Sequence, residues 1–253
     1  MSTASFRWLA LSGLIWLLGL AACSSSGSTK DGAPLPGSLS AGKPEGLFFF
    51  MDVFNKQDVY YFTLDGRVYR NPADFTAVGL AAVDAQWRGA FEVNGDQMTV
   101  KWDGREPQTR HYKYDDTGFE WDGSFICVAP FADAKQLAGT FEGHNDAVAV
   151  DANTATLYRT LSFQPDGTFA RDTYAAAHLD SRPGTTSDAP GTVTDASATA
   201  NQAGHYTLDG WFLTLTDGQG TVRGVAFPTS TDDKTGKVLY FRFNGTSYRN
   251  SNQ

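Results

Sequence analysis

From Gly46 onward the chain alternates apolar and polar positions in short runs, with a period of two rather than the period of about 3.6 that marks a helix face. The runs are separated by Asp65-Gly66, Asn94-Gly95, Asp103-Gly104, Asp122-Gly123, Asp166-Gly167, Asp209-Gly210, Asp217-Gly218 and Asn244-Gly245. Asn, Asp and Gly tolerate the positive φ that a type I′ turn requires, so each dipeptide flanked by alternation predicts a β-hairpin. Eight such signals predict an antiparallel, all-β protein. Within residues 89–100, alternation puts Phe91, Val93, Met98 and Val100 on one face, where they are expected to fill a core. One stretch departs from this pattern. Residues 72–85 (PADFTAVGLAAVDA) predict a helix capped by Asn71 or Asp74, crossing between strands of the first domain or closing one barrel end.

The pattern occurs twice. Residues 61–70 (YFTLDGRVYR) correspond to 161–171 (LSFQPDGTFAR), 89–100 (GAFEVNGDQMTV) to 204–215 (GHYTLDGWFLTL), and 119–124 (FEWDGS) to 241–246 (FRFNGT). The second copy carries an insertion over 179–202 (LDSRPGTTSDAPGTVTDASATANQ), a low-complexity stretch that predicts a mobile loop. Two related β domains are therefore expected, 46–131 and 137–253, each an antiparallel barrel or sandwich. Their recurring glycine, aromatic and hairpin resemble the small barrels of lipocalin-like bacterial lipoproteins. The resemblance covers both copies and carries over no catalytic residue.

The N-terminus reads as an address. Arg7 precedes a 13-residue apolar run at 8–20 (WLALSGLIWLLGL), too short for a bilayer span of about 20 residues, so residues 1–22 read as a secretion signal. Its end, Leu20-Ala21-Ala22-Cys23, resembles the lipobox of bacterial lipoproteins, in which cleavage falls just before a cysteine whose thiol is alkylated by a diacylglyceryl donor. The resemblance implies that acylated Cys23 anchors the chain in a lipid bilayer. Two or three acyl chains hold far more firmly than one, since each buried CH₂ contributes about 0.8 kcal/mol. Ser24, where Asp would mark inner-membrane retention, implies the outer membrane and a periplasmic body. Residues 23–45 are Ser/Gly/Pro-rich and predict a flexible tether reaching on the order of 25 Å.

Charge and chemistry narrow the function. A net charge of −8 argues against nucleic acid as a partner, because phosphate neutralisation needs a basic face, and the excess of 23 Asp over 5 Glu suits turns rather than helices. His111, His144, His178 and His205 lack metal-site spacing, Asp151-Ala-Asn153 lacks the glycine and glutamate of a calcium loop, and no nucleophile or phosphate-loop motif occurs. Neither cofactor nor metal is expected. Cys127, in an apolar run, reads as a packing residue. Asp115, Asp116, Glu120 and Asp122, and separately Asp232 and Asp233, read as solvated turns; the alternative makes them the carboxylates of an envelope glycan or peptidoglycan hydrolase, with the 179–202 insertion as a lid. Trp102 and Trp121 stand at strand ends, where an aromatic caps a core or lines a barrel mouth. With Trp211 they are the candidate ligand contacts. The sequence thus points to a non-enzymatic binding or assembly module of the envelope, whose partner is an envelope protein or a small apolar or glycan ligand.

Overall fold

The computed structural model describes residues 32–53, 56–146, 153–179 and 193–252. The signal sequence, Cys23, the tether as far as residue 31 and positions 180–192 of the insertion lie outside the described residues.

The architecture is all-β, with two antiparallel barrels in tandem. The first contains β1 (Ser38–Ser40), β2 (Lys43–Met51), β3 (Gln57–Phe62), β4 (Arg67–Arg70), β5 (Arg88–Asn94), β6 (Gln97–Trp102), β7 (Gln108–His111), β8 (Lys113–Tyr114), β9 (Gly118–Glu120) and β10 (Ser124–Cys127). Its order is β7-β6-β5-β4-β3-β2-β10-β9-β8, with β1 paired on β2. Only Tyr112 separates β7 from β8, so the chain itself spans the gap between the two ends of the sheet and the barrel is nearly closed. The second comprises β11 (Gly139–Asp146), β12 (Asn153–Phe163), β13 (Thr168–Leu179), β14 (Val193–Asp209), β15 (Phe212–Asp217), β16 (Gly220–Thr231), β17 (Val238–Phe243) and β18 (Thr246–Asn250). It closes fully, because β11 pairs with both β12 and β18. Closure removes the exposed strand edges that invite aggregation.

The two copies match at the level of single hydrogen bonds. Phe91 N–H donates to Gly66 O at 2.8 Å in the first barrel, and Tyr206 N–H donates to Gly167 O at 2.8 Å in the second. Likewise Tyr112 N–H meets Asp96 O at 2.7 Å and Ala226 N–H meets Trp211 O at 2.7 Å. The glycine that opens each central hairpin has a steric reason. A Cβ on Gly89 would lie 2.4 Å from Lys101 O, and one on Gly204 would lie 2.1 Å from Thr216 O. We therefore expect Gly204→Ala to cost about 1–3 kcal/mol through forced strand separation. Gly218→Ala, at a position with nothing within 4 Å, is the matched control. Equal urea midpoints for the two variants would refute this explanation of the repeat.

Several expectations are corrected. The helix predicted over 72–85 shrinks to α1 (Ala77–Ala81) and a 3₁₀ turn at Ala85–Trp87. Thr76 caps α1, while Asp74 instead accepts hydrogen bonds from the Thr76 amide and hydroxyl; the segment does connect β4 to β5. Order begins well before Gly46: Ala33 and Leu35 pack on buried apolar residues, and Leu47 N–H donates to Leu35 O at 3.0 Å. The stretch 32–45 is thus part of the folded body rather than of the tether. Of the insertion, Leu179 ends β13 and 193–202 form the start of β14. Phe131 packs in the second barrel's core, 6.2 Å from the Phe241 ring, so that core begins upstream of residue 137.

Candidate functional site

Both barrel interiors are filled by side chains. Phe48, Phe62, Phe119 and Phe125 occupy the first, and Phe141, Phe163, Phe241 and Tyr248 the second, whose eight strands enclose a space just wide enough for its own residues. Trp102 and Trp121 belong to the first interior, buried at 6% and 5% exposure, and Trp121 Nε1 donates to Met98 O at 3.0 Å. They cap that core rather than line a mouth. Trp211 is also buried, in a third cluster formed on the outer faces of the barrels.

That cluster joins the two bodies. Leu47, Phe49, Val59, Tyr61, Leu80 and Val128 of the first barrel's side pack with Trp211, Phe212 and Phe227 of the second's. The sequence carried a signal for this contact. Leu47-Phe48-Phe49-Phe50 in β2 and Val59-Tyr60-Tyr61-Phe62 in β3 are continuous apolar runs, buried on both faces, where a one-sided strand would alternate.

Beside the contact lies a cleft of about 940 Å³. Phe49, Met51, Lys56, Gln57 and Ile126 line it from the first barrel, and Glu142, Thr229, Ser230, Tyr240, Arg242, Gly245, Ser247 and Arg249 from the second. Strand alternation positions these last residues: Phe241, Phe243 and Tyr248 point inward, so Tyr240, Arg242, Ser247 and Arg249 point out. Ser247 Oγ donates to Gln57 Oε1 at 2.7 Å, tying the two walls together. The Arg242 guanidinium lies 5.9 Å from the centre of the Phe49 ring. Burial lowers its pKa from the ordinary arginine value, against the opposing pull of Asp58.

No protein-family model, curated protein or solved structure matches the chain. The chemistry of the cleft therefore carries the functional reading alone.

The carboxylates singled out from the sequence lie in turns, apart from Glu120, which ends β9. Asp115 is held below the usual carboxylate range by the Thr117 hydroxyl and amide, and Asp232 by the Thr235 hydroxyl and amide. Asp116, Glu120, Asp122 and Asp233 are exposed. The described lining of the cleft contains one carboxylate, Glu142, whereas two-carboxylate glycoside hydrolysis requires a pair across the scissile bond. His111 is exposed with Nδ1 3.8 Å from Asp96, His205 is exposed, and His144 and His178 lie outside the described side chains. Among the described residues no group of three His, Cys, Asp or Glu could hold a metal. Cys127 is half-buried against the first core.

Proposed function

We propose that this chain is an outer-membrane lipoprotein, anchored through acylated Cys23, whose paired barrels form a non-enzymatic binding or assembly module of the cell envelope. Its ligand or partner occupies the cleft between the barrels. The observation that carries the reading is the contrast between filled barrel interiors and an open inter-barrel cleft with mixed polar and apolar walls. The lipobox at residues 20–23 supports the anchor, and chain upstream of Gly32 remains to connect that anchor to the folded body.

Two variants test it. Cys23→Ala is expected to abolish labelling by a radioactive fatty acid; persistence of the label would remove the anchor from the proposal. Thr229→Trp places an indole in the cleft without touching a core position. In mild-detergent capture of the lipidated protein, the small molecules or stoichiometric partner that accompany the native chain are expected to be lost from this variant. Unchanged capture would place binding elsewhere.

A further inference from the structure

We propose that the inter-barrel cleft is a site for an anionic amphiphile, a molecule with a phosphate- or carboxylate-type head and a short apolar part. The inference rests on the cleft reading above and names the chemistry it takes.

Charge is the first argument. The molecule carries a net charge of −8, yet Lys56, Arg242 and Arg249 face one cleft against a single carboxylate. Glu142 stands opposite Arg249 in the β11–β18 register, but no ion pair among the described residues joins them, so the one carboxylate offsets a single charge of the three and engages neither arginine. No ion pair within the described residues engages Arg242. Asp58, whose field it feels, is already taken by Arg70 at 2.5 Å and Asn71 at 2.6 Å. A guanidinium that has shed part of its water and found no anion is costly to the free protein and poised for a ligand oxyanion, which its planar fork matches in two-point contact.

The second argument is the opposite wall. Eight large apolar residues are left exposed among those described, and three of them line this cleft, each at 38% exposure: Met51 and Ile126 on the wall facing the arginines, and Tyr240 beside Arg242 on β17. Exposed apolar residues scattered singly need no explanation, whereas three gathered beside unpaired cations form a two-part surface. Met51 and Ile126 come from β2 and β10, adjacent strands of the first barrel, while Arg242 and Arg249 come from β17 and β18 of the second. An anionic head paired with the arginines would thus lay its apolar part across the junction onto the other barrel. The volume of about 940 Å³ admits such a ligand at the upper end of the usual range for small-molecule sites, roughly 300–1,000 Å³.

The test uses the full lipidated chain in nanodiscs of a zwitterionic lipid, with empty discs as the blank. Hexyl phosphate, inorganic phosphate and hexyl glucoside serve as probes; ³¹P NMR follows the phosphates and proton NMR follows the glucoside. Hexyl phosphate is expected to bind more tightly than either of the others, with an affinity that falls as salt is raised. Arg242→Gln and Arg249→Gln should each weaken it about tenfold or more. Arg249 is exposed, so its variant keeps the test decisive if Arg242→Gln does not fold. Met51→Ser and Ile126→Ser should weaken hexyl phosphate while leaving inorganic phosphate unchanged.

Equal binding of inorganic and hexyl phosphate, with Met51→Ser silent, would overturn the amphiphile. Binding of hexyl glucoside that ignores both arginine variants would overturn the anion. If no probe binds at millimolar concentration while Thr229→Trp still blocks native capture, this inference fails and the cleft reading stands. If Thr229→Trp leaves capture intact, the cleft reading itself fails.

Discussion

Phe125→Ala is expected to destabilise the first barrel by about 3–5 kcal/mol, enough to remove much of the stability of an ordinary domain. Phe125 is 2% exposed on β10 and stands at the centre of an aromatic cluster. Its ring stacks on Phe119 at 4.3 Å and 8°, meets Phe50 at 4.8 Å and Tyr60 at 5.0 Å, and approaches Phe62 at 6.2 Å and Trp121 at 6.3 Å. Truncation removes the burial of one ring and leaves five neighbours facing a void that hydrogen-bonded barrel strands cannot readily collapse to fill. Ile126, the next residue, points to the opposite face and is 38% exposed, so Ile126→Ala should cost well under half as much. Urea unfolding followed by tryptophan fluorescence checks both, since Trp102 and Trp121 report from inside this barrel. Equal costs for the two neighbours would mean that the inward and outward faces of β10 have been misassigned.

Most of that core is legible in the sequence because a barrel interior is a local property of each strand. Alternation alone places Phe91, Val93, Met98 and Val100 on one face, and the duplicated motifs give equivalent hairpins with equivalent hydrogen bonds. The turn phase is less legible. Asn94-Gly95 and Asp209-Gly210 read as the central pair of type I′ turns, yet the register sets Asn94 opposite Gln97 and Asp209 opposite Phe212. The centres are therefore Gly95-Asp96 and Gly210-Trp211, with positive φ at the glycine alone, as in a type II′ turn. Asn244-Gly245 keeps the expected form, with φ of 47° and 77°. The one-residue shift brings Trp211, a candidate ligand contact by sequence, to a hairpin tip buried in the cluster between the barrels. The cleft is the least legible feature. Its arginines, Met51 and Ile126 are marked by alternation only as outward-facing, and their meeting depends on how two separately encoded barrels dock. The doubly buried runs in β2 and β3 reveal that a docking face exists, but not which residues of the second copy cover it.

Asp58→Ala is expected to cost about 3 kcal/mol, from a charge network that alternation cannot reveal either. Asp58 is 5% exposed at the start of β3 and accepts from Arg70 at 2.5 Å and from Asn71 Nδ2 at 2.6 Å. Asn71 adopts φ of 50°, which turns its amide back so that its N–H reaches Val59 O at 2.7 Å and its Oδ1 accepts Val59 N–H at 2.8 Å. One carboxylate thus fixes the residue that ends the β3–β4 ladder, and it also fixes Arg70, whose guanidinium lies 4.2 Å from the centre of the Trp87 ring. Removing it strands a cation whose side chain is only 15% exposed, and breaking a buried pair from one side costs about 3–5 kcal/mol; the remaining water contact of Arg70 sets the lower end. Asp103 supplies the contrast. It pairs with Arg67 at 3.4 Å and Arg88 at 3.1 Å, but all three side chains are about one-third exposed, so Asp103→Ala should cost under about 1 kcal/mol. Salt separates the two mechanisms, because screening acts on exposed charges far more than on buried ones. In 1 M NaCl the Asp103→Ala cost should shrink toward zero, while the Asp58→Ala cost persists. A urea midpoint for Asp58→Ala no lower than that of Asp103→Ala would show that Arg70 finds other partners, and that the end of the β3–β4 ladder does not depend on this carboxylate.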